Sequence, residues 1–256
     1  MKHLPRFAIS DDAAGPGIGG TVRLTGSELR HMRDVMRLGT GTEVVLCSAH
    51  GTEYAGRIAA FESKAAIIEV AGVYHNRERT SRLILAAGMI KATRMDLLIE
   101  KASELDASEF WPLICARSIS REPSSGRQQR WRRISLAAAK QSLRSRMMEI
   151  HDPLDVNAMA GSVPKAALAV TCMAGAEPLS ALIRRIAGGL KACPDVILAI
   201  GPEGDFAPEE LSAMGEAGFV AAGLGGNRLR SETAAIAALS IATGIVAELE
   251  DNKRTA

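Results

Sequence analysis

The sequence predicts an α/β protein in which a small β-barrel precedes a domain of alternating strands and helices built on a mostly parallel sheet. Three observations predict it. Residues 1–75 carry short β-like runs at close spacing, broken by turn residues, which is the pattern of a small barrel. From residue 76 onward, strand-like and helix-like runs alternate, which argues for parallel pairing. Near the end, two glycine-rich loops each join a β-like run to a helix-like run. In a parallel sheet both loops emerge at the edge where open α/β proteins bind ligands.

In the first segment, residues 21–24, 43–47, 53–58 and 65–70 read as strands, punctuated by Gly39-Thr40-Gly41, His50-Gly51 and Glu62-Ser63-Lys64. Residues 27–38 read as a helix with Ser27 as its N-cap. In the second segment, residues 83–87 form a buried-strand pattern, and residues 93–105 place Leu97, Leu98, Lys101, Ala102 and Leu105 at helical spacing. Residues 110–114 read as a strand, 127–146 as a long basic helix, 166–172 as a strand and 178–188 as a helix. The strand 196–200 then leads through Gly201-Pro202-Glu203-Gly204-Asp205-Phe206 to a helix opening at Pro208-Glu209-Glu210. Proline and acids suit a first helical turn, and Gly218 ends that helix. The run 219–224 leads through Gly225-Gly226-Asn227-Arg228-Leu229-Arg230 to Ser231-Glu232-Thr233-Ala234 and an alanine-rich helix over 234–247. Residues 251–256 read as a disordered tail.

Hydrophobic residues make up 47% and charged residues 23% of the 256, as in ordinary globular proteins. No apolar run approaches a membrane span, and the N-terminal residues 1–6 lack the apolar centre of a signal peptide, so the cytoplasm is the expected compartment. Cys47, Cys115, Cys172 and Cys193 stand far apart among apolar neighbours and read as buried thiols. The five histidines show no i, i+4 pair, so no metal is expected. Net charge is +2, but residues 117–146 hold nine basic residues against Glu122 alone, a candidate surface for a phosphate backbone. Gly15-Pro16-Gly17-Ile18-Gly19-Gly20 matches G-x-G-x-x-G without a strand before it or a helix after it, and no G-x-x-x-x-G-K-[ST] occurs. Within the first C-terminal loop, Glu203 and Asp205 would repel a phosphate and suit a ligand carrying positive charge.

Gly201-Pro202-Glu203-Gly204, followed by Leu224-Gly225 and Leu229-Arg230-Ser231-Glu232-Thr233-Ala234, resembles the C-terminal pattern of RsmE-type ribosomal RNA methyltransferases of the SPOUT class. Pro5-Arg6-Phe7, the 31–38 helix, Lys91 with Arg94-Met95-Asp96, and Gln141-Ser142-Leu143-Arg144-Ser145-Arg146 carry the resemblance along nearly the whole chain. The chain departs from the family pattern at Asp205, where a second glycine is usual, at Gly226 and Asn227, and at Lys140 and Leu143.

The resemblance implies a PUA-like, RNA-binding β-barrel over residues 1–75 and a SPOUT α/β domain over 76–256 whose end threads a trefoil knot. It implies a homodimer acting on small-subunit (16S) ribosomal RNA or the 30S subunit, with S-adenosylmethionine as cofactor and N3 of a uridine as the methylated atom. The cofactor would be held by Leu198, Ile200, Gly201, Pro202, Gly204, Leu224, Gly225, Leu229, Ser231 and Thr233. Arg230 would stabilise charge developing on the uracil oxygens, while Glu203 or Glu232 would position the base or take its proton. Arg6, Lys91, Arg94, Arg117, Arg121, Gln141, Arg144, Arg146 and Arg228 would meet the RNA. A ribose 2′-O-methyltransferase, an RNA-binding homologue without catalysis and an enzyme for another RNA position are the competing readings.

Overall fold

Alternating apolar residues in the N-terminal part assemble β1 (Arg6–Ala8), β2 (Thr21–Leu24), β3 (Glu43–Cys47), β4 (Thr52–Phe61) and β5 (Ala66–His75) into a sheet of order β1-β3-β4-β5-β2. The computed structural model describes residues 4–9, 16–48, 52–75, 80–118, 123–142, 144 and 146–255. The chain divides into one unit of Met1–Glu78 with Ala139–Met147 and another of Arg79–Ala138 with Met148–Ala256.

In the first unit, β1 pairs parallel with β3 and the remaining pairs are antiparallel. Register shifts between Ala55 and Gly56 and between Ile58 and Ala60 bend the β4–β5 ribbon. A Cβ at Gly56 would lie 2.5 Å from Ile68 Cγ2, so only glycine lets the two strands approach there. Phe7, Met32, Leu46, Ile58 and Ile68 fill the core. Residues 27–38 do not form the single helix expected. Helix α1 (Gly26–Arg30) starts after Thr25, not at Ser27, and passes into a π-helical turn (His31–Val35). Strand β1 carries no signal in the sequence, and His50-Gly51 lies outside the described residues. Gly15 of the G-x-G-x-x-G match also lies outside them, and Thr21 opens a strand rather than a helix.

The second unit carries β6 (Leu83–Gly88), α2 (Ala92–Glu104), β7 (Glu109–Ile114), α3 (Ser125–Gln141), β8 (Glu149–Ile150) and β9 (Leu154–Asp155). It continues with α4 (Val156–Gly161), β10 (Leu168–Cys172), α5 (Leu179–Gly188), β11 (Val196–Ile200), α6 (Pro208–Glu216), β12 (Val220–Ala222) and α7 (Ser231–Thr255). Its sheet has the order β12-β10-β11-β6-β7-β8 with β9 beside β7, and every pair is parallel. Successive residues of a strand face opposite sides. Leu83, Leu85, Val196 and Leu198 pack with α2, α5 and α7, while Ile84, Ile197 and Ala199 pack with Met159 of α4 and Met214 of α6. Both faces are therefore covered, as the apolar runs demand.

Three expectations need correction. Helix α3 stops at Gln141 instead of residue 146, because the chain curls back and Arg144 N donates to Ala139 O at 2.9 Å. The expected tail is helical, and α7 runs to Thr255. Lys253 Nζ donates to Ala187 O at 2.7 Å and also to Leu190 O, which holds the helix end down. Helix α7 is also long and apolar enough to cross a membrane by length and composition, with mean hydropathy 1.5; here Ala235, Ala238, Leu239 and Ala242 pack it into the core. Strands β8 and β9 and helix α4 were not foreseen. All four cysteines are free thiols, Cys47 and Cys115 buried and the other two half-buried.

Glu250 of α7 is 5% exposed, and its Oε1 accepts hydrogen bonds from the backbone and hydroxyl donors of Thr80 and Ser81 at 2.7–3.0 Å. Burial pushes this carboxyl up, but the donors of Ser81 and Thr80 outweigh it and hold the group below the usual carboxylate range. A lowered folded-state pKa stabilises above the unfolded value and is lost as pH falls through the folded one. Glu250→Ala is expected to cost about 1–3 kcal/mol in urea unfolding at neutral pH. The gap from wild type should narrow between about pH 6 and about pH 3; a gap independent of pH contradicts the assignment.

Candidate functional site

Parallel pairing of β12, β10 and β11 ends three strands at one edge, and the loops leaving them surround one cavity. The loop after β11 closes as a turn in which Asp205 N donates to Pro202 O at 2.9 Å. Asp205 has φ +62°, a left-handed conformation that aspartate tolerates better than most residues. Its Oδ1 accepts from Phe206 N at 2.8 Å, so the departure from glycine is accommodated locally. Phe206, 2% exposed, anchors the loop in the core. Glu210 accepts from Ala207 N at 2.7 Å and Ala116 N at 2.8 Å, which ties the start of α6 to the loop after β7.

Two close approaches set the height of this loop. A Cβ on Gly88, the last residue of β6, would lie 2.6 Å from Pro202 Cδ and N, and one on Gly204 would lie 2.9 Å from Arg117 Cβ. The second loop leaves β12 at Gly223, whose N–H donates to Glu177 O at 2.7 Å and whose carbonyl accepts from Leu179 N at 2.9 Å. Gly225 follows with φ +118°, a value that requires glycine. Arg230 caps α7, its carbonyl accepting from Ala234 N at 2.8 Å.

The cavity measures about 670 Å³. Of the expected cofactor contacts, Ile200, Gly201, Pro202, Leu224, Gly225, Leu229 and Ser231 line it, as do Glu203, Arg228 and Arg230. Leu198 is fully buried in the core, Gly204 turns toward Arg117, and Thr233 is exposed; none of these three lines the cavity. The sequence reading missed a third wall, Cys172 at the end of β10 with Met173 and Ala174 after it. Its signal was present, since β10 is a parallel strand whose C-terminal end falls at the same edge. Burial pushes the Cys172 thiol up to about 12, so it presents a neutral wall.

Charge is organised behind the first loop. Arg94 of α2 stands between two acids, with Nη1 3.6 Å from Glu203 Oε1 and Nε 3.5 Å from Glu232 Oε1. Both Glu203 oxygens and Glu232 Oε2 are buried without a hydrogen-bond partner. One guanidinium thus serves two acids, Glu203 of the first loop and Glu232 in the first turn of α7. Glu232 and Arg94 both lie outside the lining, and Arg94 joins Glu232 to Glu203, which lines it.

The other residues expected at RNA sort by engagement. Lys91 is exposed at the start of α2, and Gln141 and Arg146 are exposed in the first unit, where Arg144 is half-buried. Arg6 is paired with Glu53 at 2.5 Å and its side chain is 12% exposed. Arg117 donates to Gly204 O at 3.4 Å and Phe206 O at 3.3 Å, which braces the loop. Arg121 and Leu143 lie outside the described residues. Lys140, another departure from the family pattern, pairs with Glu28. Among the described residues no group of three or more metal-ligating side chains occurs.

Residues 77–243 match the family model of an RNA methyltransferase domain, and residues 24–71 match that of an RNA methyltransferase PUA domain. The ribosomal RNA small subunit methyltransferase E of Bacillus subtilis is 29% identical over 86% of this chain and 88% of its own length. That of Synechocystis is 30% identical over 87% of this chain and 73% of its own. Among solved structures, the ribosomal RNA small subunit methyltransferase E of Neisseria gonorrhoeae bound to S-adenosyl methionine superposes with TM-score 0.82 at 25% identity, covering 95% of this chain and 98% of that one. A putative methyltransferase from Legionella pneumophila, also with bound cofactor, gives TM-score 0.80 at 27% identity, covering 94% and 98%.

Arg94→Ala leaves Glu203 and Glu232 without their counter-charge, and is expected to lower stability by about 1–2 kcal/mol in urea unfolding. Arg94→Lys should recover only part of this, since it restores the charge without the planar fork. Equal stability of the alanine variant and wild type would show that the pairing carries no weight. Gly88→Ala should speed amide exchange across residues 201–206 by displacing Pro202; unchanged exchange contradicts the packing argument.

Proposed function

The chain belongs to the RNA methyltransferase domain family, and from that membership and the geometry of its loops we propose that it is an S-adenosylmethionine-dependent methyltransferase acting on N3 of a uridine in small-subunit (16S) ribosomal RNA. The observation that carries the reading is a single cavity joining close-packed glycine backbone, the acids Glu203 and Asp205, and the arginines Arg228 and Arg230.

The cavity's volume lies in the range of small-molecule sites, and the orphaned Glu203 oxygens suit a cation, so these residues fit the cofactor. S-adenosylmethionine, when bound, supplies an electrophilic methyl group on a sulfonium centre. Ile200, Pro202, Leu224 and Leu229 give apolar contact, while Gly201, Gly225 and Ser231 offer backbone groups at close range. Leu198 and Gly204 support these walls from behind, and Thr233 belongs to the first turn of α7. Arg230, exposed at the cavity, stabilises negative charge that grows on the uracil carbonyl oxygens as N3 loses its proton. Glu203 orients the base or takes that proton. Glu232 acts through Arg94, as a positioning residue.

We divide the chain into an RNA-binding barrel over 1–75 and a methyltransferase domain over 76–256, with the boundary in the gap between the two family matches, 24–71 and 77–243. Lys91, Gln141, Arg146 and Arg228 meet the RNA backbone, with Arg144 and Arg121 on the same basic stretch. Arg6 and Arg117 keep barrel and loop in shape. The paired backbone at Gly223, Glu177 and Leu179 supports passage of the C-terminal segment through the loop after β10 as a trefoil knot. A homodimer in the cytoplasm fits α7, whose most apolar window is 39% buried and offers small residues for close helix packing.

Calorimetry is expected to show binding of S-adenosylmethionine at micromolar concentration, and absence of binding at millimolar cofactor would refute the enzyme. Arg230→Ala should bind the cofactor as wild type does while kcat falls about 100-fold or more. Wild-type turnover in that variant would remove Arg230 from the chemistry.

A further inference from the structure

The π-helical turn of the first unit leaves apolar side chains in water. Leu29 and Met32 face the core, and a continuous α-helix would bring Met36, seven residues after Leu29, to the same face. Instead Met36 N donates to His31 O at 2.9 Å, an i to i+5 bond, and Leu38 N donates to Met32 O at 3.1 Å. The extra residue turns the frame outward, and Leu38 packs on the core in place of Met36. Val35 is then 68% exposed and Met36 40% exposed. Arg37 ends the turn at φ +53°, a conformation unfavourable for a long side chain.

Leu38 recovers the core contact, but Val35 and Met36 are left in water and Arg37 in a left-handed conformation. Such irregularities collect at binding surfaces. Charge identifies the occupant. Arg30, Arg33 and Arg37 flank the two apolar residues in the sequence, and Asp34 is the one acid from residue 29 to residue 42. Asp34 pairs with Arg33 at 2.8 Å, whereas Arg37 makes no ion pair among the described residues. An exposed apolar pair in an arginine-rich turn suits the face of an unstacked base with its flanking phosphates.

We propose that this turn is an RNA contact, with Val35 and Met36 packing against an unstacked base of small-subunit ribosomal RNA and Arg37 and Arg30 on the flanking phosphates. The proposal rests on the ribosomal RNA substrate proposed above and adds a binding surface made of first-unit residues, none of which lines the methyl-transfer cavity.

The test measures binding of wild type, V35S/M36S and R37G to naked 16S ribosomal RNA and to 30S subunits across a salt series, with cofactor affinity measured alongside. Arg37→Gly keeps the left-handed backbone while removing the charge. The double variant is expected to lose about five- to tenfold in affinity for naked RNA, from the apolar area it no longer buries, with its salt slope unchanged. R37G should reduce the salt slope by about one. Melting temperature and affinity for S-adenosylmethionine should match wild type in both. Wild-type RNA binding by both variants overturns the surface and leaves the substrate assignment standing. Weakened binding to 30S subunits alone would assign the turn to a ribosomal protein and overturn the RNA contact. Failure of wild type to bind either RNA form would overturn the surface and the substrate together.

Discussion

The site depends on the parallel pairing of β6, β11, β10 and β12. Parallel strands share one direction, so their C-terminal ends and the loops leaving them collect at a single edge. Strands buried on both faces must be apolar throughout, and Val196, Ile197, Leu198, Ala199 and Ile200 are all buried. Polar side chains are thereby absent from β11 and β6, and the charged groups of the cavity come from the loops beyond them. Charge at this edge is carried by the loops 201–206 and 224–231, with Arg94 of α2 and Glu232 of α7 beside them.

Backbone approach then sets where those loops stand. Gly88 under Pro202, Gly204 against Arg117 and Gly223 against Ala176 O are positions at which a Cβ would come within 3 Å of a neighbour. Each joins the loop of one strand to a segment from another. Arg94 performs the electrostatic counterpart of this fastening, since its guanidinium lies between Glu203 of one loop and Glu232 at the start of α7. Steric contact fixes the loop heights, and the shared cation holds two like charges close to one cavity.

Much of this was legible in the sequence, for identifiable reasons. The loops at Gly201 and Gly225 announce themselves because glycine, proline and charge interrupt buried-strand patterns. The third wall at Cys172–Met173–Ala174 was not read, because strand order is a long-range property and nothing local places β10 between β11 and β12. The Arg94 bridge was equally hidden, as its partners lie more than 100 residues away. Helix α3 was read too long because its basic composition continues past the point where the backbone curls at Ala139. Helix α7 was read too short because its last turns are polar, and their anchors, Thr80, Ser81, Ala187 and Leu190, come from distant segments. The π turn defeats pattern reading by its nature, since 29–38 keeps helical spacing while the backbone inserts a residue.

Methyl transfer to N3 of a uridine is the central claim, and nucleoside analysis of the reaction product tests it directly. Small-subunit particles from a strain lacking the protein would be incubated with the purified protein and isotopically labelled S-adenosylmethionine, then digested and resolved by mass spectrometry. The account predicts label in N3-methyluridine, at one position of the 16S RNA. Label in a ribose 2′-O-methyl nucleoside, in another base, or in none would contradict it.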